Sequence, residues 1–406
     1  MNFIKNKYLA LLMGGSMAAL SACDGFFGKK TDLSFIDIPD QSASRVAYVP
    51  VLPEIKGFTR PVQVATGFDN LIYVVDSAQA IVAFDEAGNQ VGRFTGVPNV
   101  TYVTQDRRLD LLAIGRFDTV INGQSYSLSS IYRIDMKKSG ENNNTVLDLN
   151  TARITRQIRH PFYYNKSSPT NPTYLNGVSL NGIAVLYDNR YYVTRTGSDN
   201  NPQKIGGPDD AVLLFDKNDN FVSPISMQGL GGSSVTNFFT SPFDITTLAK
   251  PPQSYSLPSG TKEDFIVTSL DTSRTLQVQY IEVNATENGT DYSVKYFDYG
   301  DTTKASGFFY MPKRFSKPYG VTYSGDSKNY IFVIDRDSLY QFTNTGYEGV
   351  PFGTYTKLQK VSFGGTGNSV LQFRHAKSVA YFNRTLYVAD AGNGRLLRFK
   401  LSDDYR

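Results

Sequence analysis

The sequence predicts an all-β fold: a six-bladed β-propeller with four-stranded blades, closed by an N-terminal strand. Three observations carry this. One pattern of short strands and tight turns recurs, first as LIYVVDSAQAIVAFDEAGN (Leu71–Asn89), then as YIFVIDRDSLYQFTNTG (Tyr330–Gly346) and LYVADAGNGRLLRFKLSDD (Leu386–Asp404). Long segments with the period of an amphipathic helix are absent. The composition, with 27 Tyr, 27 Phe and 19% charged residues in 406, suits sheets packed through aromatic rings.

Each blade follows from the repeat. Blade one reads Pro61-Val62-Gln63-Val64, a turn at Gly67-Phe68-Asp69-Asn70, then Leu71–Asp76 and Ile81–Asp85. Blade five has Pro318–Val321, Ile331–Asp335 and Leu339–Phe342; blade six has Ala376–Val379, Leu386–Asp390 and Leu396–Phe399. Blades two to four keep the apolar pattern more loosely. Their markers are Leu111–Ile114 with Ile131–Asp135, Tyr191–Thr194 with Val212–Asp216, and Phe265–Thr268 with Leu276–Gln279. Repeats of about 40–50 residues with four strands each indicate propeller blades.

A single four-stranded blade cannot bury both of its faces, whereas a closed ring packs face on face and leaves only short edges. Runs such as IYVV and IFVI fit strands covered on both sides. Phe84, Phe215, Phe342 and Phe399 are placed to pack between blades. Asp76, Asp335 and Asp390 end their strands, where a carboxylate can accept N–H bonds in the following turn. Blade six offers only three strands after Ala376, so Arg45–Val51 (RVAYVPV) is expected to supply its fourth.

The motif P-x-G-V, Y-V-x-D, I-x-x-F-D-x-x-G resembles the NHL repeat. The resemblance spans residues 45–402 and is fullest in blades one, five and six. At the N-terminus, Lys5 and Lys7 precede the apolar run Tyr8–Leu20, which has the pattern of a secretory signal and is short for a membrane span. Leu20-Ser21-Ala22-Cys23 resembles a bacterial lipobox, which implies lipidation at Cys23. As the only cysteine, Cys23 has no partner for an internal disulfide. The plainer alternative is an ordinary signal with a chance cysteine. The expected organisation is a signal peptide at 1–22, a lipidated tether at 23–44 and the propeller at 45–406. The expected location is the cell envelope, as an outer-membrane lipoprotein on its periplasmic or exterior side.

Within a blade the strands alternate in direction, so the loops between second and third strands share a face with the connections between blades. The longest departures from the repeat fall there: Gly115–Ser129, Thr196–Asp210, Asn150–Asn181 and Asp298–Lys317. Long loops on a rigid scaffold are common binding sites. The same face collects Arg116, Arg195, Arg274, Arg336 and Arg395, with Arg156 and Tyr163 on the 150–181 connection. Arginine presents forked donors to carboxylate, phosphate or sulfate, and tyrosine a stacking surface. The plainer reading pairs each arginine with a nearby Asp, such as Asp118, Asp199, Asp271 or Asp337.

Candidate chemistry is sparse, and no catalytic residue, metal ligand or cofactor is assigned. His160 and His375, the two histidines, lack partners at metal-ligand spacing. Peptide-amidating lyases share the NHL repeat and use histidine-bound metal, and this chain lacks a matching set. A gluconolactonase-like site would gather Glu, Asn and Asp around a cation. The inner strands offer Gln63, Asn99, Asn181, Asp244 and Lys377, with one carboxylate among them. Of these, Gln63, Asp244 and Lys377 are the candidate channel residues. Asp209, Asp210, Asp216 and Asp219 lack the spacing of a calcium loop and read as turn formers. A net charge of +4 gives no nucleic-acid footprint. The expected function is that of a monomeric, membrane-anchored binding or scaffold module for a partner protein or an anionic or glycan ligand. The alternative is a metal-dependent lactonase- or lyase-like enzyme working in the central channel.

Overall fold

A computed structural model describes residues 46–121, 123–140, 144–159, 177–201, 208–229, 234–235, 237–251, 261–287, 289–297, 307–351 and 358–405. Cys23, His160, Tyr163 and the 1–44 segments lie outside these residues. Six four-stranded antiparallel sheets form the six blades, with strands named A to D from the centre outward. Strand A is Pro61–Thr66, Tyr102–Gln105, Ser179–Val185, Pro242–Thr247, Pro318–Tyr323 and Ala376–Phe382 in blades one to six. Each A strand lies beside that of the next blade, and blade six lies beside blade one, so the ring closes.

The closing strand is where the sequence predicts it. Tyr48–Pro50 pairs antiparallel with strand C of blade six, Arg395–Leu401, in the register Tyr48↔Leu401, Val49↔Lys400 and Pro50↔Phe399. Val46 and Tyr48 bury their side chains among Phe332, Val379 and Phe399.

Strands B and C are buried on both faces because neighbouring blades cover them. Ile72–Asp76 and Ala80–Phe84 are buried throughout. Six apolar clusters fill the six interfaces between blades. Phe84 packs with Ala380 and Phe382 of blade six, Phe215 with Leu112 and Ile131 of blade two, Phe342 with Ile266 of blade four, and Phe399 with Phe332 of blade five. Each phenylalanine therefore joins its own blade to the preceding one. Burial of this kind contributes roughly 1.5–3 kcal/mol per large apolar side chain.

The strand-ending aspartates act differently from the sequence expectation. They take backbone N–H bonds from the segment that leads into strand A, and only Asp390 also reaches the next turn, where it accepts from the Asn393 side chain. Asp76 accepts from the N–H groups of Thr59 and Arg60, Asp335 from Ser316 and Lys317, and Asp390 from Arg374. The carboxylate thus pins the incoming connection to the end of strand B.

Three of the expected loops are also more ordered than predicted. In blade two, Leu111–Ile121 and Gln124–Asp135 continue their pairing through Arg116↔Ser129 to Ile121↔Gln124, so Gly115–Ser129 is a β-ribbon. Phe117, Tyr126, Leu128 and Val178 form its own small core. Within the 150–181 connection, Arg153–Ile158 is the outer strand of blade two. In the 298–317 stretch, Phe308, Phe309 and Phe315 are buried between blades four and five.

Candidate functional site

Backbone irregularity builds the site. In five blades the A–B pairing slips at the start of strand A: between Pro61 and Gln63, Leu180 and Ile183, Pro242 and Ile245, Pro318 and Gly320, and Ala376 and Ser378. The residues left out of register are Val62, Asn181, Gly182, Phe243, Asp244, Tyr319 and Lys377. All but Gly182 line one cavity of about 300 Å³ at the mouth of the central channel. A bulge re-aims side chains, and here five bulges turn theirs toward the axis. Glycine is required where strands crowd: a Cβ on Gly320 would meet the Ser378 backbone at 3.0 Å.

The wall is part aromatic, part polar. Phe243 and Tyr319 meet edge to face with centroids 5.9 Å apart. The Lys377 ammonium lies 3.5 Å from the Tyr319 ring centroid, a close cation–π contact. Asn181 donates to Thr196 Oγ1 and the Pro242 carbonyl, which fixes its amide. Gln63 bonds to the backbone N–H and carbonyl of Val103, stitching blade one to blade two.

Asp244 sits where the channel narrows. Its Oδ1 accepts from the Tyr102 hydroxyl at 3.0 Å, and its Oδ2 from the Val321 N–H at 2.8 Å. Tyr102 belongs to blade two and Val321 to blade five, so one carboxylate ties three blades across the axis. Burial pushes its pKa up to about 6, and the two hydrogen bonds oppose that rise. At the narrow end, Lys250 lines a small void beside Asp244, and burial lowers the pKa of its ammonium.

The structure separates the sequence-predicted arginines. Arg195 is buried and donates to the carbonyls of Pro208 and Asp209, holding its own B–C loop. Arg395 is buried against Asp390 and Glu54 and donates to three loop carbonyls. Arg274 donates to the Phe238 carbonyl and to Gln279. Arg156 lies on the outer strand of blade two and reaches the Asn218 carbonyl. Two of the set line cavities. Arg116 lines the channel mouth while donating to the Ser127 carbonyl, and Arg336 lines a second cavity of about 450 Å³ at blades five and six.

The acidic run serves turns and ion pairs. Asp216 accepts from the N–H groups of Asn218 and Asn220, and Asp210 from those of Gly197 and Ser241. Asp219 takes a two-pronged bond from Arg133, which also reaches Asp106 at 2.6 Å. This buried network joins blades two and three. No local pattern announces it, because Arg133 lies inside a strand and its partners come from turns 27 and 86 residues away. Tyr319 and Phe243 were also missed as site residues. Their offset of one from Pro318 and Pro242, matching Val62 after Pro61, was the available signal. No group of three or more potential metal ligands occurs among the described residues. Asp244, the cavity's one carboxylate, has both oxygens bonded within the protein, a poor donor set for a cation.

No family model and no curated protein matches the chain. Among solved structures, it is similar to a Bacteroides thetaiotaomicron protein of unknown function (TM-score 0.49, 10% identity, 88% of this chain and 76% of that one). An auxiliary nutrient binding protein from the same organism gives a TM-score of 0.48 at 12% identity, over 88% of this chain and 76% of that one. The PQQ-bound aldose sugar dehydrogenase of Streptomyces coelicolor gives 0.45 at 13% identity, over 88% and 99%. Likeness at these identities concerns the fold and carries nothing about function.

Proposed function

We propose that this chain is an exported, lipid-anchored binding module that takes a glycan or small anionic ligand into the mouth of its propeller channel. One observation carries the reading: five strand bulges aim Val62, Asn181, Phe243, Asp244, Tyr319 and Lys377 at a single cavity. Rings, an amide and an ammonium on one concave wall match what sugar-like and anionic ligands need, namely a stacking face, fixed hydrogen-bond partners and positive charge. About 300 Å³ is at the lower end of small-ligand pockets, which favours a compact group over a protein surface. The NHL-like repeat and the anchor at Cys23 belong to the same proposal. The described residues contain no helix long and apolar enough to cross a membrane.

The test is retention of the purified chain on a glycan and acidic-sugar array, compared with Lys377→Ala and Tyr319→Ala. Loss of retention in both variants, with unchanged melting, supports the reading. Equal retention by all three proteins sinks it.

A second reading rests on Asp244. A buried carboxyl held near pH 6 at a cavity wall has the acidity of a general acid or base. That reading requires turnover of a lactone or uronide that Asp244→Asn abolishes while binding persists.

A further inference from the structure

We propose that the second cavity, between blades five and six, is a separate binding site for an oxyanion: a sulfate, phosphate or carboxylate group. Its volume is about 450 Å³, and Lys317, Arg336 and His375 line it together with Asp335 and Asp337. The formal charges nearly balance, but the carboxylates are already engaged. Asp335 accepts from the Ser316 and Lys317 N–H groups, and Asp337 from the His375 N–H at 2.6 Å and the Thr366 hydroxyl at 2.7 Å. Neither forms an ion pair with Lys317, Arg336 or His375 among the described residues. Elsewhere among the described residues, the buried Arg133, Arg195 and Arg395 are engaged by carbonyls and carboxylates. Here an exposed guanidinium, ammonium and imidazole share one concavity, and among the described residues none of their side chains spends a hydrogen-bond donor on the protein.

Backbone conformation adds a second argument. Arg336 and His375 are held at φ values of 53° and 52°, a left-handed conformation that costs non-glycine residues energy. The Asp337 carboxylate accepts from the His375 N–H, and the Arg336 N–H donates to the Lys317 carbonyl, so both turns are tied down beside the same concavity. A forked guanidinium flanked by two further donors suits a group with two or three anionic oxygens. The cavity shares Tyr319 with the channel mouth, so an acidic ligand could engage both. The oxyanion site nevertheless stands without the channel-mouth reading, and its test uses different probes.

The chain has only two histidines, so the ring resonances of His375 can be assigned by comparison with His375→Gln. The full chain is titrated with sodium sulfate, phosphate, acetate and glucuronate across the millimolar range, each against sodium chloride of equal ionic strength. The expected result is a saturable shift of the His375 ring signals. Saturation by sulfate and phosphate alone identifies a tetrahedral oxyanion, and equal saturation by acetate and glucuronate a carboxylate; either supports the site. Arg336→Ala should weaken the midpoint by about tenfold, the loss of one charged hydrogen-bonding partner. Arg336→Lys should retain part of it, and the distant Lys217→Ala should change nothing. No saturable shift beyond the chloride control, or equal midpoints for Arg336→Ala and Lys217→Ala, overturns the proposal.

Discussion

The hydroxyl of Tyr48 donates to Oε1 of Gln341 at 2.5 Å, across 293 residues of sequence. Gln341 lies on the third strand of blade five, and Tyr48 on the strand that completes blade six. The closing strand, paired through its backbone with blade six, is therefore also bonded to blade five.

This predicts a strong effect at Tyr48. Tyr48→Ala empties a buried site and strands Gln341, and should cost about 3–5 kcal/mol in unfolding free energy. Urea unfolding measures the loss. Hydrogen exchange should quicken first at the amides of Arg395–Leu401, the strand's partner. Uniform quickening around the ring would argue against a local seam.

Arg133 should behave as a keystone of blades two and three. Arg133→Ala leaves the buried Asp106 carboxylate without its cation and Asp219 with only Arg156 at 3.6 Å, and should destabilise by about 3–5 kcal/mol. The double change Arg133→Ala with Asp219→Ala should cost less than the sum of the single ones. A double-mutant cycle with no coupling would remove the network.

Asp390 predicts a different kind of loss. Its carboxylate holds the Arg374 N–H and the Arg395 guanidinium together. Asp390→Asn keeps the shape but removes the charge, and should cost about 1–3 kcal/mol, seen as a lower urea midpoint with unchanged slope. The same substitution at exposed Asp403 serves as the control and should leave the midpoint in place.

The acidity of Asp244 predicts a pH dependence. Its folded pKa of about 6 lies above the roughly 3.9 of an unfolded aspartate. In that window the folded state binds more protons, so its contribution to stability is complete below about pH 4 and is lost as pH rises through about 6. Relative to Asp244→Asn, the wild-type chain should lose up to roughly 3 kcal/mol between those limits. A pH-independent difference between the two proteins would refute the assignment.

Much of the ring could be read from the chain. IYVVD, IFVID and LYVAD mark strands buried on both faces, and RVAYVPV had the alternation and position of a closing strand. The site was harder to see, for physical reasons. The slip at the start of strand A is a relation between two strands, and no local pattern records it. Arginines after strand B looked like a surface feature, yet the carbonyls that Arg195 and Arg395 brace come from loops 13 to 27 residues away. The blade-two ribbon reads as a loop because three serines and two glycines punctuate it. The alternation of Tyr126 and Leu128 with Ser125, Ser127 and Ser129 was the signal that should have identified a strand.

The seam also governs when the molecule can be finished. Blade six takes its outer strand from Tyr48–Pro50 and its third from Arg395–Leu401, so a chain still emerging from a pore or ribosome has five blades to stack and no partner for its first strand. Val46 and Tyr48 must wait with their apolar side chains uncovered until the last strand arrives. Assembly of this protein is therefore bound to complete delivery of the polypeptide, and a truncated product would display an unmated β-edge.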